Sequence, residues 1–224
     1  MKRLILIAMV VMLSAPNVFA QNFCQGDFNY NGSVGAEDVS VFLEHFGRSQ
    51  FNNPCPPDGP ALVPKTGQTT SWATGDDGDL EKGVAWPNPR FADNADGTVT
   101  DNQTGLIWLK DAYCFYPSRG WSQALSDCNE LFSDICELTD GSQAGDWRLP
   151  NRFELESLLD LENVNPALPS GHPFANVQLD NFYWSSTHYA GTSTWVWVVS
   201  MYSGYVGWDD VVFDRFVWCV RGGH

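Results

Sequence analysis

The sequence predicts an α+β domain that follows a small N-terminal unit. Within this domain, helical periodicity is confined to two segments after residue 120, and alternating apolar positions dominate the chain from residue 182 onward. Between the two units, residues 53 to 60 are rich in proline and glycine, which neither continue a helix nor join a central strand. We therefore divide the chain into residues 1–20, 21–60 and 61–224, and we expect one sizeable core in the last of these.

Residues 1–20 have the three parts of a signal peptide. A basic start at Lys2 and Arg3 precedes an apolar run from residue 4 to residue 13, and small residues lead to a cleavage site after Ala20. The run is too short to span a bilayer comfortably, and no later stretch approaches the length that a membrane helix needs. We therefore predict an exported chain without a membrane span. It begins at Gln21 and is periplasmic, secreted or associated with the cell surface.

The charge of the chain predicts a ligand that is not a polyanion. The chain has 12 basic and 27 acidic residues, a net charge of -15. Removal of Lys2 and Arg3 with the leader leaves 10 basic residues against the same 27 acidic ones, so the net charge becomes -17. Such a charge repels phosphate polymers and other polyanions. A neutral, cationic or metal-bridged ligand fits better, and we expect no nucleic-acid partner.

Residues 27 to 38, DFNYNGSVGAED, match the spacing of an EF-hand calcium loop. Oxygen-bearing side chains stand at positions 1, 3, 5 and 12, glycine at position 6 permits the sharp turn, and position 8 is apolar. A helix with an apolar stripe is predicted to follow and to end near Gly47. Because only two ligands carry formal charge, we expect a calcium affinity of about 10⁻⁴ to 10⁻³ M. The predicted Ca²⁺ ligands are Asp27, Asn29, Asn31, Ser33 and Asp38.

The simpler interpretation of this segment is an Asx-rich turn before a helix. Asp38 stands where intracellular calcium sensors have glutamate, and this makes the loop resemble a dockerin repeat. Dockerins usually carry two such repeats, whereas this chain has one. A spacer stabilised by calcium and a disulfide is therefore favoured over a unit that docks on a cohesin-like partner.

The larger domain has two helical segments, each with one apolar face. The second begins after Pro150, where Asn151 can cap the helix and Glu154 is its capping-box partner. Both helices are interpreted as structural. The apolar positions of the first helix are Trp121, Ala124, Leu125, Cys128, Leu131 and Phe132, and those of the second are Leu155, Leu158 and Leu159.

The chain from residue 195 to residue 202 alternates with period two and predicts a strand. A turn at Ser203 and Gly204 leads to a second strand, and residues 216 to 221 supply the last. The expected architecture is two helices against a twisted antiparallel sheet with long irregular loops. The first strand is predicted to be buried largely on both sides, with Trp195, Trp197, Val199 and Met201 on one face and Val196, Val198, Ser200 and Tyr202 on the other.

Six cysteines in an exported chain predict three disulfides. Cys24 and Cys55 bracket the small N-terminal unit and are predicted to close it. The chain has no C-x-x-C motif and no paired histidine motif, so the spacing of these residues gives no metal site. On spacing alone, several pairings stay open for the other four, which are Cys114, Cys128, Cys136 and Cys219.

Several motifs in order carry a resemblance to a known family. They are VPKTGQ at residues 63 to 68, DGTVTD at 96 to 101, GDWRLP at 145 to 150, YWSST at 183 to 187 and WCVRGG at 218 to 223. Over residues 61 to 223 the chain closely resembles the Lcl C-terminal domain family, which ends certain bacterial collagen-like adhesins. The resemblance implies a C-type-lectin-like fold and a binding module without general enzymatic activity. It also implies a bridge from Cys128 on the first helix to Cys219 in the last strand, which leaves Cys114 with Cys136.

Residues 202 to 216 combine aromatic, acidic and arginine side chains. Aromatic residues and arginine supply most of the binding energy at protein interfaces, and tyrosine and tryptophan give a large contact area at low entropy cost. The alternative is that part of this set faces the core of a strand pair, an interpretation favoured for Phe213 and Phe216. The candidate ligand-binding residues are Tyr202, Tyr205, Trp208, Asp209, Asp210, Phe213, Asp214, Arg215 and Phe216.

The primary functional hypothesis is an exported, non-enzymatic recognition or adhesion module that binds a protein or glycan ligand through this C-terminal surface. The chain lacks the Glu-Pro-Asn and Gln-Pro-Asp motifs through which C-type lectins hold sugar on calcium. Some family members are diversified by retroelements that randomise adenines, and residues 209 to 216 lie where such a variable region is expected. Two alternatives are a relative of the formylglycine-generating oxidases, which resemble the same fold group and need a reactive cysteine pair, and a calcium-dependent envelope scaffold component.

Overall fold

The computed structural model describes residues 63–222. The predicted signal peptide, the calcium loop and its helix, and the Cys24–Cys55 pair lie outside these described residues and stay predictions, as does the domain division at residue 60. In chain order the elements are α1 (Asp77–Leu80), β1 (Phe91–Asp93), β2 (Thr98–Asp101), β3 (Ile107–Leu109), α2 (Trp121–Asn129), α3 (Arg152–Ser157), β4 (Tyr183–His188), β5 (Trp195–Val199), β6 (Val206–Asp210) and β7 (Val220–Arg221).

The described strands form two antiparallel sheets. The first has the order β1-β2-β3-β7 and the second the order β4-β5-β6. The sequence predicted a single sheet, because β1, β2 and β3 have only three or four residues each, too few for an alternating pattern to be recognised. Few helices and long connecting loops accompany the sheets, in agreement with the predicted α+β class. None of the helices in residues 63–222 is long and apolar enough to cross a membrane.

Helix α2 is shorter than predicted. It ends at Asn129, and the Glu130 N–H bonds back to the Ser126 carbonyl at 2.8 Å. Its inward positions Ala124 and Cys128 are buried, as expected. Leu131 is buried in the turn that follows the helix, whereas Phe132 lies beyond the helix with 43% of its surface exposed. The predicted apolar face therefore continues only to Cys128, because the chain turns before the next helical position is reached.

Helix α3 has the predicted capping box. The Asn151 side chain accepts a hydrogen bond from the Glu154 N–H at 3.0 Å, and the Glu154 carboxylate accepts one from the Asn151 N–H at 2.7 Å. Leu155, Leu158 and Leu159 are buried, although the helix itself ends at Ser157. The helix lies against β4 and β5 of the second sheet.

Strand β5 is buried on both sides, as predicted, only at its end, where Val198 and Val199 are both buried. Val196 and Val198 are fully buried on the face that meets the core, whereas Trp195 and Trp197 on the opposite face are only half-buried. The second sheet therefore presents one partly open face.

Residues 215 to 221 join the two sheets. Phe216 bridges Tyr183 of β4, and Val220 pairs with Trp108 of β3 and with Arg148. Cys219 lies between Phe216 and Val220 in the sequence and is bonded to Cys128 of α2. The last strand was predicted over the whole of residues 216 to 221, but only Val220–Arg221 form a regular strand, because the residues before it pair alternately with different partners.

The core between the sheets is rich in tryptophan. The Trp218 ring centroid lies 5.6 Å from that of Trp108, 5.4 Å from that of Tyr183 and 4.8 Å from that of Phe174. The largest fully buried side chains include four tryptophans, which are Trp108, Trp147, Trp184 and Trp218. Aromatic edge-to-face contacts of this kind add to the stabilisation that burial alone gives.

Both disulfides that the resemblance implied are present. Cys128 is bonded to Cys219, with a sequence separation of 91, and Cys114 to Cys136, with a sequence separation of 22. No cysteine in residues 63–222 is free. The longer bridge fixes α2 to the segment that joins the two sheets, and the shorter one closes the loop around α2.

Candidate ligand-binding surface

Strand β6 divides the predicted binding residues between two faces. Successive side chains of a strand point to opposite sides, so Trp208 and Asp210 lie on one face and Asp209 on the other. The pairing of β5 with β6 sets Trp208 opposite Trp197 and Asp210 opposite Trp195. The residues predicted as one surface therefore form two groups, which lie on opposite faces of β6.

The first group is a strip of aromatic side chains on the open face of the second sheet. Tyr189, in the loop after β4, lies at the centre, with its ring centroid 5.8 Å from that of Trp195, 5.7 Å from Trp197 and 5.9 Å from Trp208. We define the aromatic strip as Arg152, Phe153, Tyr189, Trp195, Trp197 and Trp208.

Trp208 offers a flat open surface within the strip. Its indole is stacked on that of Trp195, with centroids 3.9 Å apart and planes inclined by 7°. One face of the Trp208 ring is therefore covered. Because 47% of the residue remains exposed, the uncovered surface includes the opposite face of the ring.

Arg152 occupies the other end of the strip. Its guanidinium carbon lies 3.9 Å from the centroid of Trp197 and 5.7 Å from that of Phe153. The guanidinium also forms an ion pair with Glu156, and the Arg152 N–H donates to Thr187 Oγ1 at 3.0 Å. The cation is thus held between an indole face and a carboxylate.

The second group is centred on Arg215. Its guanidinium forms an ion pair with Asp209, and Nε donates to Asp209 Oδ2 at 2.8 Å. The same guanidinium lies 5.2 Å from the Phe213 ring centroid and 5.8 Å from that of Phe182. Tyr205 reaches this group, with its ring 6.2 Å from Phe182. We define the Arg215 cluster as Phe182, Tyr205, Asp209, Phe213 and Arg215.

Gly207 allows Tyr205 to lie flat along β6. A Cβ atom built on Gly207 would come within 2.7 Å of Tyr205 Cε1, closer than side-chain contacts permit. Any larger residue at this position would displace the tyrosine ring. The glycine therefore determines the orientation of Tyr205 in the Arg215 cluster.

Phe216 does not belong to the exposed surface. It is 7% exposed and its ring packs 5.3 Å from Tyr113 and 5.5 Å from Tyr183. Burial raises the pKa of Tyr183, whose hydroxyl oxygen accepts a hydrogen bond from the Gln178 N–H. The core-facing alternative is therefore correct for Phe216. For Phe213 that alternative is wrong, since Phe213 is 49% exposed.

Tyr202 and Asp214 are exposed but lie outside both groups. Tyr202 is in the turn between β5 and β6, where its carbonyl accepts a hydrogen bond from the Asn165 N–H at 2.8 Å. In residues 63–222, neither Asp214 nor Asp210 takes part in an ion pair. These two carboxylates are thus without a cationic partner within the described residues.

Sequence reasoning identified only Trp208 among the six residues of the aromatic strip. Trp195 and Trp197 were interpreted as residues of a strand buried largely on both sides, and the helix that carries Arg152 and Phe153 was interpreted as structural. Tyr189 was not singled out. The available signal was that Trp195 and Trp197 alternate along one strand and that a short turn separates this strand from Trp208. It indicated facing positions once the turn was placed at residues 203 and 204, but the contact with Arg152 depends on how α3 packs.

The part of the chain that the structure describes offers no cluster of three or more His, Cys, Asp or Glu side chains arranged for a metal ion. The predicted calcium ligands all precede residue 63. The two exposed groups present aromatic rings, arginines and carboxylates, which are suited to non-covalent binding of a ligand.

Comparison with protein families places this domain in a defined class. The fold and the surface define a disulfide-bonded α+β domain with exposed aromatic and charged side chains. The model of the Lcl C-terminal domain matches residues 97–221, more than half of the chain, so the chain belongs to this family. No match to a curated protein was found. Family membership agrees with the adhesion-type C-terminal domain that the sequence resemblance implied.

Proposed function

We propose that this chain is an exported, non-enzymatic adhesion module that binds its ligand through the surface formed by the aromatic strip and the Arg215 cluster, on a C-type-lectin-like domain. The supporting observation is the exposure of three large aromatic side chains within a short stretch. Tyr205 is 60% exposed, Trp208 47% and Phe213 49%. Trp208 belongs to the aromatic strip, and Tyr205 and Phe213 belong to the Arg215 cluster. Exposed apolar groups that are rimmed by polar residues mark interaction sites.

The rigidity of this surface favours recognition over a purely structural role. Trp208 is held by its stack on Trp195 and Arg215 by its ion pair with Asp209. Side chains that are already ordered lose less entropy when a ligand binds, and this improves affinity. A surface of fixed aromatic rings and charges is therefore suited to bind with selectivity.

A binding assay tests this proposal. The purified chain is applied to arrays of extracellular-matrix proteins and of glycans, and the retained fraction is compared with that of the triple variant Tyr205→Ser, Trp208→Leu, Phe213→Ser. We expect the triple variant to lose retention by at least about tenfold, because these positions resemble interface hot spots. The matched control is Trp72→Ala, which removes a tryptophan that is 84% exposed in the segment before β1. Equal retention of the triple variant and the wild type contradicts the proposal.

The proposal includes diversification of the surface by a retroelement. Residues 209 to 216 combine exposed positions with a sequence composed of residues reachable from adenine-rich codons. Deep sequencing of the 3′ end of the gene in one culture and its close relatives tests this. We expect substitutions at codons 202 to 216 and constancy at Trp218 and Cys219. Variation no greater than that in the helices rules out diversification and leaves the binding proposal in place.

We also propose a Ca²⁺ site at residues 27 to 38, in a spacer unit that precedes the domain and is stabilised by calcium and a disulfide. The support is the spacing of oxygen ligands around Gly32. Calcium titration of the exported chain is expected to give a dissociation constant of about 10⁻⁴ to 10⁻³ M. Asp27→Ala removes the site, whereas Asp76→Ala, in another acidic stretch, leaves it unchanged. Calcium-dependent retention of a partner on the N-terminal unit would instead favour the envelope-scaffold alternative.

The oxidase alternative requires reactive cysteines. All four cysteines of residues 63–222 form disulfides, and two of them, Cys128 and Cys219, are fully buried. Disulfides persist in oxidising compartments, so their presence also supports export. A thiol count on the unreduced full chain discriminates the alternatives, because an oxidase of this type needs a titratable pair of thiols.

A further inference from the structure

We infer that the open face of Trp208, together with the carboxylate of Asp210, binds the guanidinium or ammonium group of a basic peptide segment on the ligand. This inference rests on the proposed function and specifies its partner. It follows from an arrangement of cation, ring and carboxylate that occurs in both exposed groups of the second sheet, and that recurs at Trp208 without the cation.

The complete arrangement occurs at the other end of the aromatic strip. Arg152 lies 3.9 Å from the Trp197 ring centroid and is paired with Glu156. The Arg215 cluster repeats the arrangement, with the guanidinium 5.2 Å from the Phe213 centroid and paired with Asp209. The protein's own arginines therefore already use an aromatic ring and a carboxylate together, a combination that is favourable for a guanidinium group.

At Trp208 the ring and the carboxylate are present without a cation. In residues 63–222, no arginine or lysine lies over the Trp208 ring, and no ion pair involves Asp210. Trp208 and Asp210 are two residues apart on one strand, so their side chains leave the same face of the sheet. Asp210 Oδ1 accepts a hydrogen bond from the Val212 N–H at 3.1 Å, which restricts the rotation of the carboxylate.

The charge of the chain selects a cationic partner over a neutral or anionic one. A net charge of -15, or -17 after loss of the leader residues Lys2 and Arg3, attracts basic segments over long distances. The two nearest arginines of the surface are both neutralised by their own carboxylates. A neutral sugar could stack on the indole and donate its hydroxyls to Asp210, but it would not gain from the net charge of the chain. A basic peptide uses both groups.

The test measures binding of two synthetic peptides to the purified full chain by calorimetry. One peptide is a flexible glycine-serine chain with spaced arginines, and the other carries citrulline, a neutral isostere, in their place. We expect the citrulline peptide to bind at least about fivefold more weakly. We expect Trp208→Leu to weaken the arginine peptide by about fivefold and Asp210→Asn by about threefold, with no effect of Asp210→Asn on the citrulline peptide.

The control variant separates local recognition from the general charge. Asp134→Asn removes one exposed carboxylate elsewhere, at a position with a backbone φ of 81° that asparagine tolerates. It is expected to leave the affinity for the arginine peptide unchanged. Equal loss in Asp134→Asn and Asp210→Asn overturns the inference, because binding would then follow the net charge alone. Equal affinity for the two peptides, or no measurable binding of the arginine peptide, overturns it too.

The same variants distinguish failure of this inference from failure of the proposed function. Retention on a matrix protein or a neutral glycan that depends on Trp208 but is unaffected by Asp210→Asn rules out the cationic partner and leaves the adhesion surface in place. Full retention of the triple variant Tyr205→Ser, Trp208→Leu, Phe213→Ser removes the surface itself, and both proposals then fail. Circular dichroism of each variant verifies that the fold is unchanged.

Discussion

Buried tryptophans hold loops in place as well as filling the core. The indole N–H of Trp218 donates to the Leu109 carbonyl at 2.7 Å, and that of Trp184 donates to the Arg119 carbonyl at 2.8 Å. Each indole thus supplies apolar area and also pairs a carbonyl group that would otherwise be left without a partner. Such pairing is important, since an unpaired polar group in the interior costs about 1 to 3 kcal/mol.

A single carboxylate anchors the loop before β1. Glu162 accepts hydrogen bonds from the N–H groups of Thr69 and Thr70, at 2.8 and 3.0 Å, and from the Thr70 hydroxyl. The Thr70 hydroxyl and these backbone donors lower the pKa of Glu162. Because all of these donors favour the charged form, the stabilisation that they provide depends on pH.

We predict that Glu162→Gln destabilises the domain near neutral pH and has little effect in acid. The pKa of Glu162 is lower in the folded chain than in the unfolded one, so its contribution is complete above the unfolded pKa of about 4.3 and is lost as the pH falls through the folded pKa. Urea unfolding of both proteins at about pH 7 and about pH 3 measures the difference. An unchanged difference at the lower pH contradicts this assignment. Glu81→Gln, which removes an exposed ion pair with Lys65, is the control.

At the scale of elements, α3 begins at a well-defined cap that also positions the aromatic strip. Asn151 and Glu154 form the capping box, and Glu154 also pairs with Arg148 through both guanidinium Nη atoms, at 2.6 and 2.7 Å. Arg152, the next residue after the cap, contacts Trp197. The start of the helix thus determines where the Arg152 guanidinium lies on the second sheet.

Asn151→Ala is expected to lower the free energy of unfolding by about 1 kcal/mol, because it removes the acceptor for the Glu154 N–H. Equilibrium urea denaturation followed by tryptophan fluorescence provides the measurement. Asn151→Ser retains a capping oxygen and should recover most of the loss. If the serine variant is as unstable as the alanine variant, the capping interaction is not the source of the stability.

The two described disulfides are expected to differ in their contribution. The bridge between Cys128 and Cys219 closes 91 residues and that between Cys114 and Cys136 closes 22. In the loop-entropy model, the longer loop contributes about 4 to 5 kcal/mol and the shorter about 3 kcal/mol. Replacing each pair by alanine and comparing the unfolding free energies tests this order. A larger loss for the shorter bridge would show that interactions in the native state, rather than chain entropy, determine the effect.

The sequence predicted the elements with strong local signals and missed those that depend on packing. The capping box at Asn151 was predictable because both partners lie within one turn. The pairing of Cys128 with Cys219 followed from the family resemblance, not from spacing. The strands β1, β2 and β3 were missed because three or four residues are too few for periodicity. The contact between Arg152 and Trp197 could not be predicted, since it requires the relative position of a helix and a sheet.

At the scale of the whole domain, residues 215 to 221 connect elements that are distant in sequence. Phe216 bridges β4, Val220 pairs with β3, and Cys219 is bonded to α2. The segment follows the exposed loop after β6 directly. This exposed loop is thus bounded by a strand on one side and by a buried, multiply anchored segment on the other, so we expect it to accept substitutions without loss of the fold.

Trp218→Ala is predicted to destabilise both sheets together. Trp218 contacts Trp108 of the first sheet and Tyr183 of the second, and it is fully buried. A change of this size in a core costs about 3 to 5 kcal/mol. Near-ultraviolet and far-ultraviolet circular dichroism should report the same lowered midpoint, because the sheets share this contact. Two separate transitions would show that the sheets unfold independently, and Trp72→Ala should leave the midpoint unchanged.

The position of the joining segment also determines when the domain can fold during synthesis. Until residues 216 to 221 have left the ribosome, β3 lacks its neighbour β7, and β4 lacks its bridge to Phe216. Cys128 also lacks the cysteine to which it is bonded. A nascent chain therefore cannot complete its core. If the predicted leader directs the protein to a translocation channel during synthesis, the channel receives a chain whose core is still incomplete. The final packing step and the closure of the long disulfide then coincide on the far side, where thiols are oxidised.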